Sequence, residues 1–522
     1  MSDPARRPLA ERPVHRRSLL LGGAAALGAS AFGSSATALP GAGTGRLADP
    51  FTLGVASGDP LPDGVVLWTR LAPAPTADDG RGGMPDKAVP VRWEVAEDPQ
   101  FRRVVQRGEE QAVPELGHSV HVELRGLRPG AEYFYRFKAG NEVSPAGRTR
   151  TAPAAGSLEE LTMCFCSCAN YGQGYFTAYR RMAEDHPDLV LHLGDYIYES
   201  AAKPSDARRV LGPETRTLAN YRQKHAQYKT DGDLQAAHGT APWIVVFDDH
   251  EVANNWAGET PQKPDPNFPE RRRVAFQAYY ENMPLRSSSK PHDGRMQLFR
   301  RYRWGALANF HMLDTRQHRD DQACGDGTKS GCDERLDPQR SITGAEQERW
   351  VADGLGRSRA RWDVLGQQVF FSPLDLTPGA ADGRNMDSWD GYAANRDRIA
   401  NAMSGDNVRN AVVLTGDVHQ HWAAEVKRTH DDAGARPVGT EFVTTSITSD
   451  GDGKPGSDEA VLAENPHVKF NADRRGYVRT KFTAQKLRVD YRTLEHVTRP
   501  GAEAKTAQSF VVEDGDPRLN SA

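Results

Sequence analysis

The chain has 522 residues, with 66 Lys and Arg against 70 Asp and Glu, a net charge of −4. Near-neutrality without a long basic run leaves a nucleic-acid partner unsupported, and no stretch beyond the N-terminus offers the ~18 consecutive apolar residues of a membrane span. With 38% hydrophobic residues, 49 Gly and 34 Pro, the composition is that of a loop-rich globular protein with room for roughly three domains of about 150 residues.

The N-terminus reads as a targeting signal rather than as part of a fold. Arg6, Arg7, Arg12, Arg16 and Arg17 precede an apolar stretch at 19–31 that is too short for a stable bilayer anchor. Arg16-Arg17-Ser18-Leu19-Leu20 is a twin-arginine signal, and Ala36-Thr37-Ala38 offers a small-x-small cleavage site. Residues 1–38 are therefore expected to be a leader, the twin-arginine export machinery a partner, and the mature protein secreted. A basic disordered tail is the plainer alternative, but the order of basic, apolar and small residues favours export. Of the five cysteines, Cys324 and Cys332 bracket a Gly/Asp-rich loop (CGDGTKSGC) that a local disulfide would close in an oxidising compartment.

Residues 51–153 read as a separate all-β unit. Short strands at 65–68, 91–95, 120–124 and 133–137 alternate with turn signals such as Pro62-Asp63-Gly64 and Pro129-Gly130, the pattern of a β-sandwich. The run Leu127-Arg128-Pro129-Gly130-Ala131-Glu132-Tyr133 resembles the loop before a late strand in fibronectin type III modules. A linker rich in Ala, Gly, Pro and Ser follows at 152–157. From Leu161 strands and helices alternate, which predicts an α/β unit over 161–510 with long loops at one end of a sheet. Helices are expected at 177–185, 218–228 and 271–282. A strand at 307–313 runs into Asp314 and Arg316, and strands are expected at 361–365, 368–371, 441–445 and 486–491. Thr343-Gly344-Ala345-Glu346 has capping-box spacing and should open a helix through Ala352.

Three apolar runs end in polar groups. LVL at 189–191 leads through Gly194 to Asp195 and Tyr198; WIVVF at 243–247 leads into Asp248, Asp249, His250 and Glu251, then Asn254 and Asn255; VVL at 412–414 leads into Gly416, Asp417, Val418 and His419. In open α/β sheets chemistry sits beyond the carboxyl ends of strands. Four consecutive ionisable groups repel one another unless cations or solvent separate them, so a metal centre explains these tips better than a solvated face. Carboxylates are hard donors able to bridge two ions, a phenolate suits ferric iron, and Asp417 and His419 at period-two spacing point the same way. Cys164, Cys166 and Cys168 lack the spacing of structural zinc sites. The first two read as packing thiols, and Cys168, past the strand end, as a thiolate ligand or nucleophile. Neither a G-x-S-x-G elbow, a phosphate-binding P-loop nor an H-E-x-x-H motif is present.

Together with the leader, the segments SCANYGQGYFTAYRRMAEDHPDLVLHLGDYIYE, FDDHEVANNW, NFHMLDTRQHR, VLTGDVHQHW and NPHVKFNADRRGY resemble the PhoD family of alkaline phosphatases and phosphodiesterases. The family is itself similar to purple acid phosphatases. The resemblance implies an α/β metallophosphoesterase-like sandwich core behind an N-terminal fibronectin- or Ig-like β domain. It also implies a centre of one Fe(3+) and Ca(2+) ions. By position, Cys168 and Tyr198 would ligate iron, Asp195 would bridge the metals, and Asp249, Asn254 (or Asn255), Asp417 and His419 would complete the set. Arg180, the nearest cation to the Cys168 loop, either binds phosphate oxygens or is a solvated helix residue. His250 either serves the leaving group or fixes Asp249.

The expected activity is metal-assisted hydrolysis of phosphate mono- or diesters. Trp256, Trp389, Tyr392 and Trp422 leave open a phospholipase D-type action on phospholipid, or simply pack. The contrasting reading is an exported binding or adhesion protein with a structural metal site.

Overall fold

A computed structural model describes residues 48–428 and 434–522; the leader at 1–38 lies outside them. The α/β reading holds in two large sheets. One has ten strands, in the order Asp516–Ser521, Ala504–Glu513, Lys486–Leu494, Gly476–Phe482, Leu161–Cys166, Leu189–His192, Pro242–Val245, Val55–Leu61, Gly64–Arg70 and Ser119–Glu123. The other has seven, in the order Arg300–Trp304, Ala308–Met312, Trp362–Gln367, Ala411–Thr415, Pro437–Val443, His421–Lys427 and Val468–Ala472.

At the heart of each sheet the strands are parallel: Leu161–Cys166, Leu189–His192 and Pro242–Val245 in the first, and the four from Ala308–Met312 to Pro437–Val443 in the second. Parallel strands buried on both faces read as continuous apolar runs, which is why LVL, WIV and VVL stood out. Both sheets contribute to one buried cluster, with Met163, Leu191 and Ile244 from the first beside Phe310, Val364 and Leu414 from the second. Facing sheets joined by a shared core fix their strand ends relative to one another. Helices Thr177–Glu184, Leu218–Lys229 and Phe268–Asn282 lie near their expected positions. No helix among the described residues is long and apolar enough to cross a membrane.

The β segment at 51–153 is less self-contained than its sequence indicates. Three of its strands extend the ten-stranded sheet, with Ser57 and Gly58 paired to Pro242 and Trp243. The others form a facing sheet of Val104–Ala112, Val89–Ala96, Glu132–Ala139, Glu142–Val143 and Gly147–Arg150. The fibronectin-like turn is built as its sequence suggests: the Tyr133 hydroxyl accepts the Arg128 backbone N–H at 3.0 Å, a tyrosine corner.

Two local expectations fail. Thr343 does not cap its helix, which runs Gly344–Gly356; its hydroxyl donates to Asn395 Oδ1 (3.1 Å), and Ser341 Oγ accepts the Gly344 N–H instead (2.8 Å). Residues 368–371 leave the sheet, because Gln368 turns to hold the Thr315 N–H (3.0 Å) and the Leu313 carbonyl (3.0 Å). Cys324 and Cys332 form the expected disulfide.

Candidate metal centre

The three polar tips meet at one rim. Gly194, at φ +110°, lets the Asp195 loop lie against the Asp248 loop: a β-carbon there would sit 2.4 Å from that of Asp248. A β-carbon on Gly416 would fall 2.9 Å from Ser167 Cβ and 3.2 Å from the Leu193 carbonyl, so only glycine closes the third loop onto the other two. Past these turns Cys168, Asp195, Asp417 and His419 all take left-handed backbone, with φ of 59, 57, 62 and 60°. Such conformations are uncommon for residues with a side chain and cost about 1–3 kcal/mol each. Their clustering marks a site whose geometry is enforced by its surroundings.

The donor atoms form an overlapping chain. Cys168, Asp195 and His419 lie mutually within 4.8 Å, as do Asp195, Asp249 and His250, and again Asp248, Asp249 and Asp417. Tyr198 joins the first group, donating to Asp195 Oδ2 (2.8 Å), lying 3.2 Å from His419 Nε2 and accepting from Ser449 Oγ (2.6 Å). His419 is oriented from behind by Asp450 at 2.7 Å, and His250 by Glu199 at 2.7 Å. A carboxylate behind an imidazole fixes its tautomer and direction.

The protons on this chain are out of place for neutral water. Burial, then neighbouring carboxylates, push Asp195 and Asp417 well above the usual carboxylate range. Burial likewise raises the Cys168 thiol, with Asp195 and Asp417 adding to it, and raises the Tyr198 phenol, with Asp195 and Cys168 adding. Asp249 moves the other way: His250 and Arg316 outweigh its burial. His250 is held protonated against burial by Asp249, Glu199 and Asp195. Asp248 Oδ2, Asp249 Oδ1 and Arg316 Nη2 are buried without a hydrogen-bond partner. Orphaned buried oxygens are costly, and these, with thiol, phenol and imidazole beside them, form a donor set that multivalent cations fit.

Several of the contributing residues were not read from sequence. Arg316 is fully buried, 2.5 Å from Asp248, 3.0 Å from Asp387, and 3.9 and 3.8 Å from Asp249 and Asp417. Glu251, named in the sequence only as part of its strand's polar tip, clamps two loops, accepting the Asp195 (3.1 Å), Tyr196 (2.5 Å) and Asp248 (2.9 Å) backbone N–H groups. Glu199, Asp387, Asp450 and Ser449 complete the frame. Glu199 and Arg316 stand inside the YIYE and LDTR motifs, and Arg316 also follows the 307–313 strand.

Arg180 does not belong here. It is exposed on its helix and pairs with Asp233 at 2.9 Å, while the adjacent Tyr179 takes the buried face. Asn254 gives its backbone N–H to Glu199 (3.0 Å) and its side-chain amide to Gln262 (3.0 Å); Asn255 gives its N–H to Asp249 (2.6 Å). Trp256, Trp389 and Tyr392 are fully buried and pack in the interior.

Comparison with known proteins places the whole chain in a family. Residues 163–491 match the model of the PhoD-like phosphatase family, and residues 36–153 match that family's N-terminal domain. The chain is 50% identical over 474 residues to alkaline phosphatase D of Bacillus subtilis (strain 168), covering 89% of this chain and 81% of that protein. A solved structure of PhoD superposes with a TM-score of 0.88 at 49% identity, covering 92% of this chain and 93% of that one. A purple acid phosphatase from yellow lupin (Lupinus luteus) seeds shares the fold, with a TM-score of 0.53 at 13% identity over 88% of this chain and 73% of that one. The chain belongs to the PhoD-like phosphatase family, and it is an enzyme that hydrolyses phosphate esters.

Proposed function

We propose that the rim holds one ferric ion and calcium, and that the enzyme cleaves phosphodiesters as well as monoesters after export by the twin-arginine route. The overlapping donor groups carry this reading. Cys168, Asp195, Tyr198 and His419 offer thiolate, carboxylate, phenolate and imidazole, of which the phenolate and carboxylate suit a hard trivalent ion while thiolate and imidazole also ligate iron. Asp248, Asp249 and Asp417 offer oxygen alone, as calcium prefers, and Asp195 stands between the two. Bound there, such ions would stabilise charge on the phosphoryl oxygens and acidify water for attack.

The chain's own groups do the rest. Arg316 spaces Asp248 and Asp387 and opposes the rise that burial imposes on Asp248, and Glu251 locks the loops that carry Asp195 and Asp248. His250, tied through Nδ1 to Glu199, keeps Nε2 for the departing ester oxygen, a general-acid role. Its ring stacks on Tyr198 at 4.1 Å between centroids, which restricts rotation. A lipid-directed action draws less support, since all four aromatic residues that suggested it are buried, Trp422 against a cavity.

Elemental analysis of the purified protein should return iron and calcium, and chelation should abolish hydrolysis of an aryl phosphate and of its bis-aryl diester together. Full turnover by metal-depleted protein would overturn the centre; hydrolysis of the monoester alone would overturn the diesterase reading.

A further inference from the structure

Two cavities border the donor groups, one at Glu199 behind His250 and one at Asp417, and they differ in character. At the Glu199 end, about 380 Å³ is bordered by Asn254, Lys203, Arg216, Lys263 and Arg271. At the Asp417 end, about 340 Å³ is lined by Phe370, Leu374, Leu376, Val418, Trp422 and Val461. We infer that the Asp417 cavity seats one ester group of the substrate, and that this group is apolar and of aryl size. The inference rests on the phosphodiesterase reading above: a monoester has one substituent, whereas a diester presents two and can use two unlike cavities.

The apolar cavity is built, not incidental. Its walls come from the loop after Trp362–Gln367, the Asp417 loop, the His421–Lys427 strand and helix Glu459–Glu464. Phe370, Leu374, Trp422 and Val461 belong to one packed cluster, and the Phe370 and Trp422 rings meet edge to face at 5.9 Å. Its polar groups are largely engaged within the fold. Asp390 is held by Arg396 (2.6 Å) and accepts the Leu374 N–H (2.9 Å). Asp458 caps its helix through the Val461 N–H (3.2 Å), and Ser388 accepts the Asp390 N–H (3.2 Å) while donating to the Asn385 carbonyl (2.8 Å). Asp417 is the exception, shared between the cavity and the donor chain. An apolar wall beside a phosphate-binding rim gains nothing from water and gains from covering an apolar ring. The volume suits a ring; the paired acyl chains of a phospholipid exceed it.

The test uses the full enzyme and two substitutions on different walls: Leu376→Asp at the half-buried edge, and Val461→Phe to fill the space. The readout is a ratio, kcat/KM for a bis-aryl phosphate over kcat/KM for a diester of two glycerols. Each variant should lower this ratio by about ten- to a hundredfold, with iron and calcium per chain matching the parent. An unchanged ratio in a variant that retains its metals overturns the inference, as does selective loss of phosphatidylcholine cleavage. Should one variant fail to fold, the other decides. Absence of diester hydrolysis in the parent enzyme would instead overturn the underlying phosphodiesterase reading, so the two failures are distinguishable.

Discussion

Two regions of this molecule bury several charges, and they balance them in opposite ways. At the seam between the N-terminal β segment and the helices, Arg222 makes a two-bond pair with Glu281 at 2.7 and 2.6 Å. Beside it Arg70 donates to the carbonyls of Gly117 and Gly80 and to Asn282 Oδ1. Hydrogen bonds close within the chain there, and Arg222 finds its counter-charge in Glu281. At the rim, carboxylates outnumber the buried guanidiniums of Arg316 and Arg319, and oxygens of Asp248 and Asp249 stay unpartnered. A buried pair that satisfies itself is structural, whereas a buried excess of one sign requires a counter-charge from outside. The two regions should therefore respond differently to the loss of one carboxylate.

The sharpest break in that comparison is at Asp195, which belongs to two of the three donor groups. Asp195→Asn should reduce aryl phosphate turnover by about 10³-fold or more and lower bound metal, while the metal-free chain stays as stable as the parent or gains stability. Elemental analysis with thermal unfolding in chelator checks both halves. Unfolding of the apo variant below the apo parent would place Asp195 with the structural charges instead.

Glu281→Gln should do the reverse. It strands Arg222 in a site where Glu281 is fully buried, a loss of about 3–5 kcal/mol. Folded protein should still bind its metals in the parent ratio. Urea unfolding and metal content of the folded fraction are the measurements; a fall in metal per folded chain would show that seam and rim are coupled.

The rim was legible in sequence because each ligand run is local: an apolar strand, a turn glycine and the donors follow one another within a few residues. What stayed hidden is whatever the fold alone brings together. Arg316 lies far along the chain from both Asp248 and Asp387, and Asp450 reaches His419 only through the turn after Pro437–Val443. Arg180 misled for the complementary reason: nearness in sequence to Cys168 says nothing about which face of a helix a side chain occupies. The merging of the β segment into the ten-stranded sheet was invisible likewise, since the pairing of Ser57 with Pro242 is a long-range contact with no local signal. Aromatic residues in polar loops read equally as surface or core, and only packing separates Trp422 at its cavity from the interior Trp389.

A third buried charge tests the comparison most finely, because it has no counter-charge. Lys229 is fully enclosed; its ammonium donates to Tyr196 Oη (3.0 Å), lies 3.5 Å from His238 Nε2 and sits 4.4 Å above the Trp68 ring. Burial, with Arg70 adding repulsion, brings it down from 10.5 to about 7. The facing imidazoles of His192, His225 and His238 are themselves pushed down by burial and by Lys229, and so stay neutral. Because the folded state holds the Lys229 proton less tightly than the unfolded chain, stability should rise with pH between about 7 and 10.5 and level off outside that window. One such proton is worth at most about 1.4 kcal/mol per pH unit. Lys229→Met should flatten that slope, gaining on the parent toward pH 7 and losing the advantage toward pH 10.5, where the parent lysine is neutral and keeps its bond to Tyr196. Urea midpoints across the window decide it: parallel pH profiles for parent and variant would mean that Lys229 stays charged in the fold and that the Trp68 face and the Tyr196 hydroxyl suffice to hold a buried cation.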